Sequence, residues 1–149
     1  MDNIKTFEET IKETLKGETQ KNALNFAAFM AAHGITTGEN HGTIVYNGTI
    51  LAWMHMGGEA ELPGPWTVWP DLIGTVPDGF DFDDAMKEIA WKNINICASC
   101  GGDCAPGNSK KIFGKDFENV CGAILAFTDP DAETLACLMR LIELVKIYK

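Results

Sequence analysis

The stretch Thr43-Ile44-Val45-Tyr46-Asn47-Gly48-Thr49-Ile50-Leu51-Ala52-Trp53-Met54 decides the fold. Two runs rich in β-branched and aromatic residues flank an Asn-Gly pair. That pair tolerates the positive φ angles of a type I′ turn, whose twist matches the strands it joins. The stretch therefore reads as a β-hairpin. Its second arm is apolar on both faces, with Ile50, Ala52 and Met54 on one and Leu51 and Trp53 on the other. A strand of that kind is expected to be covered from both sides.

Helical periodicity lies N-terminal to the hairpin. Phe7, Ile11 and Leu15 recur every four residues, which predicts a short amphipathic helix ending near Gly17. Thr19 is the expected N-cap of a second helix. Leu24, Ala27, Ala28 and Ala31 give its apolar face, broadened by Phe26, Phe29 and Met30, and Gly34 stops it. C-terminal to the hairpin, Gly57-Gly58 and Pro63-Gly-Pro65 punctuate a loop. Trp66-Thr67-Val68-Trp69 then reads as a third strand closed by Pro70. Asp81 is the expected cap of a central helix over Ala85 to Lys92, with Phe82, Met86, Ile89 or Ala90, and Asn93 on one face. Val120 to Phe127 reads as a further strand. Asp129-Pro130 opens a C-terminal helix, whose core stripe is Leu135, Leu138, Leu141, Ile142, Val145 and Tyr148.

The order of elements predicts a single α+β domain over residues 1–149. It has a largely antiparallel sheet, with N-terminal, central and C-terminal helices packed on it. The N-terminal helix, the hairpin around Tyr46-Asn47-Gly48 and the closing helix from Thr134 to Lys149 make the order similar to that of small bacterial α+β domains of YdhG-like type. That resemblance implies the fold class; it implies no activity and no site residues.

A chain of 149 residues, 46% apolar and 22% charged, suits one folded domain. No run of eighteen apolar residues occurs, which excludes a membrane-spanning helix. The start lacks the basic-then-apolar layout of a signal peptide, so a cytoplasmic location is expected. Net charge is −9, which argues against nucleic acid and anionic membrane surfaces as partners. A small molecule or another protein remains as the expected partner, and homodimerisation is expected from its frequency. The charge is unevenly spread. From Asn22 to Met86 there is no Lys or Arg, while eight acidic residues occur there. Between Lys92 and Lys115 the balance reverses, with four lysines against Asp103.

That cationic stretch holds a cysteine-rich loop at about 97–107, Cys97-Ala98-Ser99-Cys100-Gly101-Gly102-Asp103-Cys104, with Cys121 following. Three thiols separated by glycines can converge on one point. A C-x2-C pair wraps a metal readily, Gly101 and Gly102 free the backbone to bring Cys104 back, and Cys121 could close a tetrahedron. The expectation is a structural zinc held by Cys97, Cys100, Cys104 and Cys121, in a small binding or interaction domain. Asp103, His33, His41 or His55 could stand in for the fourth ligand. The spacing departs from the bacterial ferredoxin run, which argues against an iron–sulfur cluster. An alternative is thiol–disulfide redox chemistry at Cys97 and Cys100, with nearby lysines favouring thiolate. A further alternative is a small-ligand pocket lined by Tyr46, Trp53, Trp66, Trp69 and Trp91, with His41 and His55 facing it. Reduced, inert thiols in a tight turn are the plain alternative, and Cys137 falls in the core of the last helix.

Other patterns fail on their chemistry. Gly102 and Gly107 have P-loop spacing, but Asn108 stands where the lysine belongs. Asp78, Asp81, Asp83 and Asp84 lack the central glycine and closing glutamate of a calcium loop, and cap a helix instead. Ser99 and Ser109 lack the strand–elbow setting of a hydrolase nucleophile, so no catalytic residue is assigned.

Overall fold

A computed structural model describes residues 6–38, 41–56, 66–71, 83–96, 108–113 and 115–148; for 95, 96, 108–111, 119, 121–124 and 148 it describes the backbone alone. In chain order the elements are α1 (Phe7–Thr14), α2 (Gly17–Ala32), β1 (Thr36–Thr37), β2 (Thr43–Tyr46), β3 (Thr49–Met56), β4 (Trp66–Pro70), α3 (Asp84–Lys92), β5 (Ile94–Ile96), β6 (Asn108–Ile112), β7 (Lys115–Leu125), β8 (Phe127–Thr128) and α4 (Ala132–Tyr148). The fold is α+β. Its strands form two antiparallel sheets, in the orders β1-β2-β3-β4-β8 and β5-β7-β6.

The hairpin forms as its sequence dictates. Tyr46 faces Thr49, and the turn residues Asn47 and Gly48 have φ of 49° and 77°, the doubly positive pattern of a type I′ turn. Leu51, Ala52 and Met54 are buried, so β3 is covered on both faces. Ile50 is 37% exposed, because a bulge at Ile44/Val45 shifts the register beside it.

α1 is capped by Thr6, whose Oγ1 accepts the Glu9 N–H at 3.1 Å. α2 starts two residues before the expected cap. Thr19 instead donates its hydroxyl to Asp129 Oδ1 at 2.6 Å, tying α2 to the entry of α4. The buried stripe of α2 is Ala23, Phe26, Ala27 and Met30, whereas Ala28 and Ala31 are exposed. The helix faces inward through its phenylalanine, and the alanine-rich face takes the solvent side. Its end is a Schellman motif: Ile35 N–H donates to Met30 O at 2.9 Å, and Gly34 N–H to Ala31 O at 3.3 Å, with Gly34 at φ +69°.

The central helix is capped by Asp83 and not by Asp81, which lies outside the described residues. Asp83 Oδ1 accepts the Met86 N–H at 2.8 Å. Asn93 ends the helix, and β5 follows at once. The lysines of 110–115 belong to the β6–β7 hairpin, in which Ile112 faces Lys115. The strand expected over 120–127 is longer and broken at Ala126: β7 lies in the small sheet, β8 pairs with β4 in the large one, and the Ala126 N–H donates to Asn93 O at 3.0 Å. α4 packs on β3 and β4 and against α2 and α3. Leu135, Leu138, Leu141, Ile142 and Val145 are buried along it. Asp131 caps its start, accepting the Thr134 N–H at 2.8 Å. No described helix is long and apolar enough to cross a membrane.

Gly48→Ala places a side chain at φ +77° with open space around it. It should cost about 1–2 kcal/mol through backbone strain alone, read by urea denaturation. The Thr134 N–H holds the Asp131 carboxyl below its ordinary value of 3.8. A depressed carboxyl contributes stability above the unfolded pKa and loses it as pH falls through the folded one. Thermal melts between pH 5 and pH 2 should therefore show a smaller acid-induced drop in Tm for Asp131→Asn, which keeps the cap without the titration.

Candidate functional site

The zinc expectation is corrected. Among the described residues, no group of three or more His, Cys, Asp or Glu side chains could hold a metal ion. Zinc needs its ligands on one centre, and the described donors are dispersed. His33 follows α2, His41 precedes β2, His55 lies on β3, and Cys137 is inside α4. Cys97, Cys100 and Cys104 lie outside the described residues, as does Asp103, and Cys121 is described by its backbone, in β7. The thiol-redox alternative rests on Cys97 and Cys100, which lie outside the described residues; the one cysteine side chain described is that of Cys137, which is buried and free. β5 ends at Ile96 and β6 begins at Asn108, and β7 Val120 is the register partner of both. Ile96 and Asn108 therefore stand at one level of the middle strand of the small sheet.

Cys137 is core, as its helical position implies. Its Sγ donates to Met86 O at 3.5 Å. Burial first, and the Asp83 carboxylate second, push the thiol from 9.0 up to about 12. A thiol so disposed is neutral and a poor nucleophile. Peptide mapping after iodoacetamide treatment at pH 8 should find Cys137 unmodified in the native protein and alkylated in denaturant.

Among the described residues, the tryptophans do not gather at one site. Trp66 is fully buried against Phe26, ring centroids 5.8 Å apart. Its Nε1–H has no hydrogen-bond partner among the described residues. Trp53 and Trp69 face each other across β3 and β4. Trp91 donates Nε1–H to Ile112 O at 2.8 Å, and Lys115 Nζ lies 5.1 Å from its ring. Tyr46 carries Lys146 Nζ at 4.4 Å. Trp66 belongs to the hydrophobic core, and Tyr46 and Trp91 pack against it while each carries a lysine in a cation–π contact.

A concave site is formed elsewhere, where α1, α2 and β1 meet. It is an open groove of about 430 Å³. One wall is the start of α1, with Thr6, Phe7 and Glu8. The floor is α2, with Ala27, Met30 and Ala31. The other wall is Ile35, Thr36 and Thr37, the length of β1 and the residue before it. The Schellman motif builds the junction of floor and wall, because it folds Ile35 back onto Met30. Beyond Thr37 stands His41, whose Nδ1 shares a hydrogen bond with Thr37 Oγ1 at 2.7 Å; the imidazole tautomer sets its direction. The His41 ring also lies 5.7 Å from that of Phe7, so it bridges the two walls at one end of the groove. His41 holds this place with φ at 54°, a left-handed conformation that histidine adopts more readily than most side chains.

Sequence reasoning named His41 for a different pocket and missed the rest. Phe7, Met30 and Ile35 carry no signal beyond that of core residues, and Thr36-Thr37 is too short a strand to register as a pattern. Comparison with protein-family models, with curated proteins and with solved structures returned no match.

Proposed function

We propose that this protein is a binding module whose ligand occupies the groove between α1, α2 and β1. The observation that carries the reading is the groove's make-up. Its volume falls within the roughly 300–1,000 Å³ of ligand sites, and it joins an apolar floor to a few polar groups at the rim. Phe7, Ala27, Met30 and Ile35 are its apolar lining, while Thr36 adds a hydroxyl and Thr6 and Thr37 add hydroxyls already bonded to Glu9 and His41.

Charge narrows the ligand. The one charged side chain among the described lining residues is Glu8. The whole stretch from Asn22 to Met86, which supplies floor and second wall, has no Lys or Arg. An anionic ligand would find no counter-charge there, whereas a neutral or cationic one meets a carboxylate. The ligand is therefore read as amphipathic, apolar in body and neutral or positive at its polar end.

A neutral, environment-sensitive naphthalene dye provides the probe. It should bind with a blue-shifted emission at micromolar concentration. Ala31→Trp sets a large ring on the exposed side of the groove floor without touching the buried stripe of α2. It should weaken dye binding by about tenfold or more, which corresponds to ~1.4 kcal/mol, and leave the thermal midpoint unchanged. Equal dye binding by both proteins would refute the assignment.

A further inference from the structure

We infer that the ligand is an extended peptide segment that adds as a strand to the open edge of β1, carrying lysine or arginine between apolar residues. This rests on the groove being the binding site and names what fills it.

The hydrogen-bond phase of β1 leads there. Gly38 N–H donates to Thr43 O at 2.9 Å, which makes that pair a hydrogen-bonded one. Hydrogen-bonded and non-hydrogen-bonded pairs alternate along an antiparallel ladder. Thr37 faces Ile44 and Thr36 faces Val45, so Thr37–Ile44 is the non-hydrogen-bonded pair. The far side of β2 gives the same phase independently. Met54 N–H donates to Gly42 O at 3.0 Å, and two residues on Ile44 faces Ala52, so Ile44 turns its backbone groups to β3. The N–H and C=O of Thr37 consequently point away from β2. Because β1 is the last strand of its sheet among the described residues, they point out of an edge that no described strand covers.

The groove follows that edge. Successive strand residues turn their side chains to opposite faces, yet the cavity touches Ile35, Thr36 and Thr37 in turn. A space that meets all three runs alongside the strand and not over one face of it. An incoming chain would pair its backbone with Thr37, and set alternate side chains against Phe7 and Met30. This is recognition by strand addition, in which the main chain supplies pairing and flanking pockets supply selectivity. Glu8 at the rim, and the absence of Lys and Arg from residues 22–86, select a basic segment over an acidic one.

The test is a titration of the isotope-labelled full chain with acetyl-Val-Lys-Val-Lys-Val-Lys-amide, followed by amide NMR shifts. Two analogues accompany it, one N-methylated at every valine and one at every lysine. Each blocks the N–H groups of one edge of the peptide strand. The parent should shift the amides of residues 35–38. One analogue should bind about tenfold or more weakly, and the other within about twofold of the parent. The valine–glutamate counterpart should be weakened about tenfold or more as well. Equal binding by both N-methylated analogues, equal binding by the acidic peptide, or shifts confined to other residues would overturn the inference. So would self-association of the chain through residues 35–38 with no peptide bound. If the naphthalene dye binds at the groove and no peptide does, strand addition fails and the groove remains a ligand site; if neither binds, both readings fail.

Discussion

Burial of the apolar stripe of α4 is the constraint on which the rest depends. Leu135, Leu138, Leu141, Ile142 and Val145 are withdrawn from water against β3, β4, α2 and α3. Side chains of this kind contribute about 1.5–3 kcal/mol each when fully buried, so α4 brings a large apolar surface that the fold has to cover. Its placement fixes what surrounds it. β3 and β4 must present apolar residues to it on the face they turn towards α4. α2 must run beside it, and the Thr19–Asp129 hydrogen bond ties α2 to the turn that leads into it. α3 touches it through Cys137 and Met86. The polar ends of these contacts lie at the surface, where Arg140 Nη1 approaches Glu143 Oε2 at 3.2 Å and Lys146 covers Tyr46.

The parts of this arrangement that the sequence makes legible are those fixed by local chemistry. Asn47-Gly48 produces the hairpin because no other common pair accepts two positive φ angles so readily. Gly34 ends α2 because only a residue without a Cβ enters the left-handed region without strain. The stripe of α4 is legible because Leu and Ile at helical spacing have one low-energy solution. Less legible were choices made by tertiary packing. In α2, nearly every position from Ala23 to Ala32 is apolar, so the pattern does not say which face turns inward. Phe26 decides it by packing on Trp66. β5 and β6 were unreadable for another reason: three residues after a helix, and a lysine-bearing run, become strands only because β7 offers its edges to both.

The site was less legible than the fold, and the two candidate regions explain why. The cysteines attract attention because they are close in sequence and share one chemistry. Closeness in sequence states nothing about convergence, which the backbone on either side determines. The groove has the opposite character. Phe7, Met30 and Thr37 are far apart in sequence and chemically unremarked, and they meet because a Schellman turn reverses the chain at Gly34 and lays β1 beside α1 and α2. A site assembled by a helix terminus and a two-residue strand leaves no periodic trace.

An exposed sheet edge is ordinarily a hazard, since its unpaired N–H and C=O groups can template pairing with any chain. The large sheet has two ends. At one, β8 is a two-residue strand that continues directly from β7 through Ala126, so that end is tethered to the small sheet. At the other, β1 is equally short, and α1 and α2 stand along its outer side. Residues of those helices line a groove beside β1 that is open to solvent. Protection by length alone would have been complete had the helices closed on β1. Instead Ala27 and Ala31, the smallest side chains available to a helix that must remain stable, face the space. A larger residue at either position would fill the groove and cost the helix only a few tenths of a kcal/mol in propensity if it were Leu or Met. Small side chains on the floor, combined with an outward-turned backbone on the wall, keep the edge reachable by a slim occupant while denying it to a broad one.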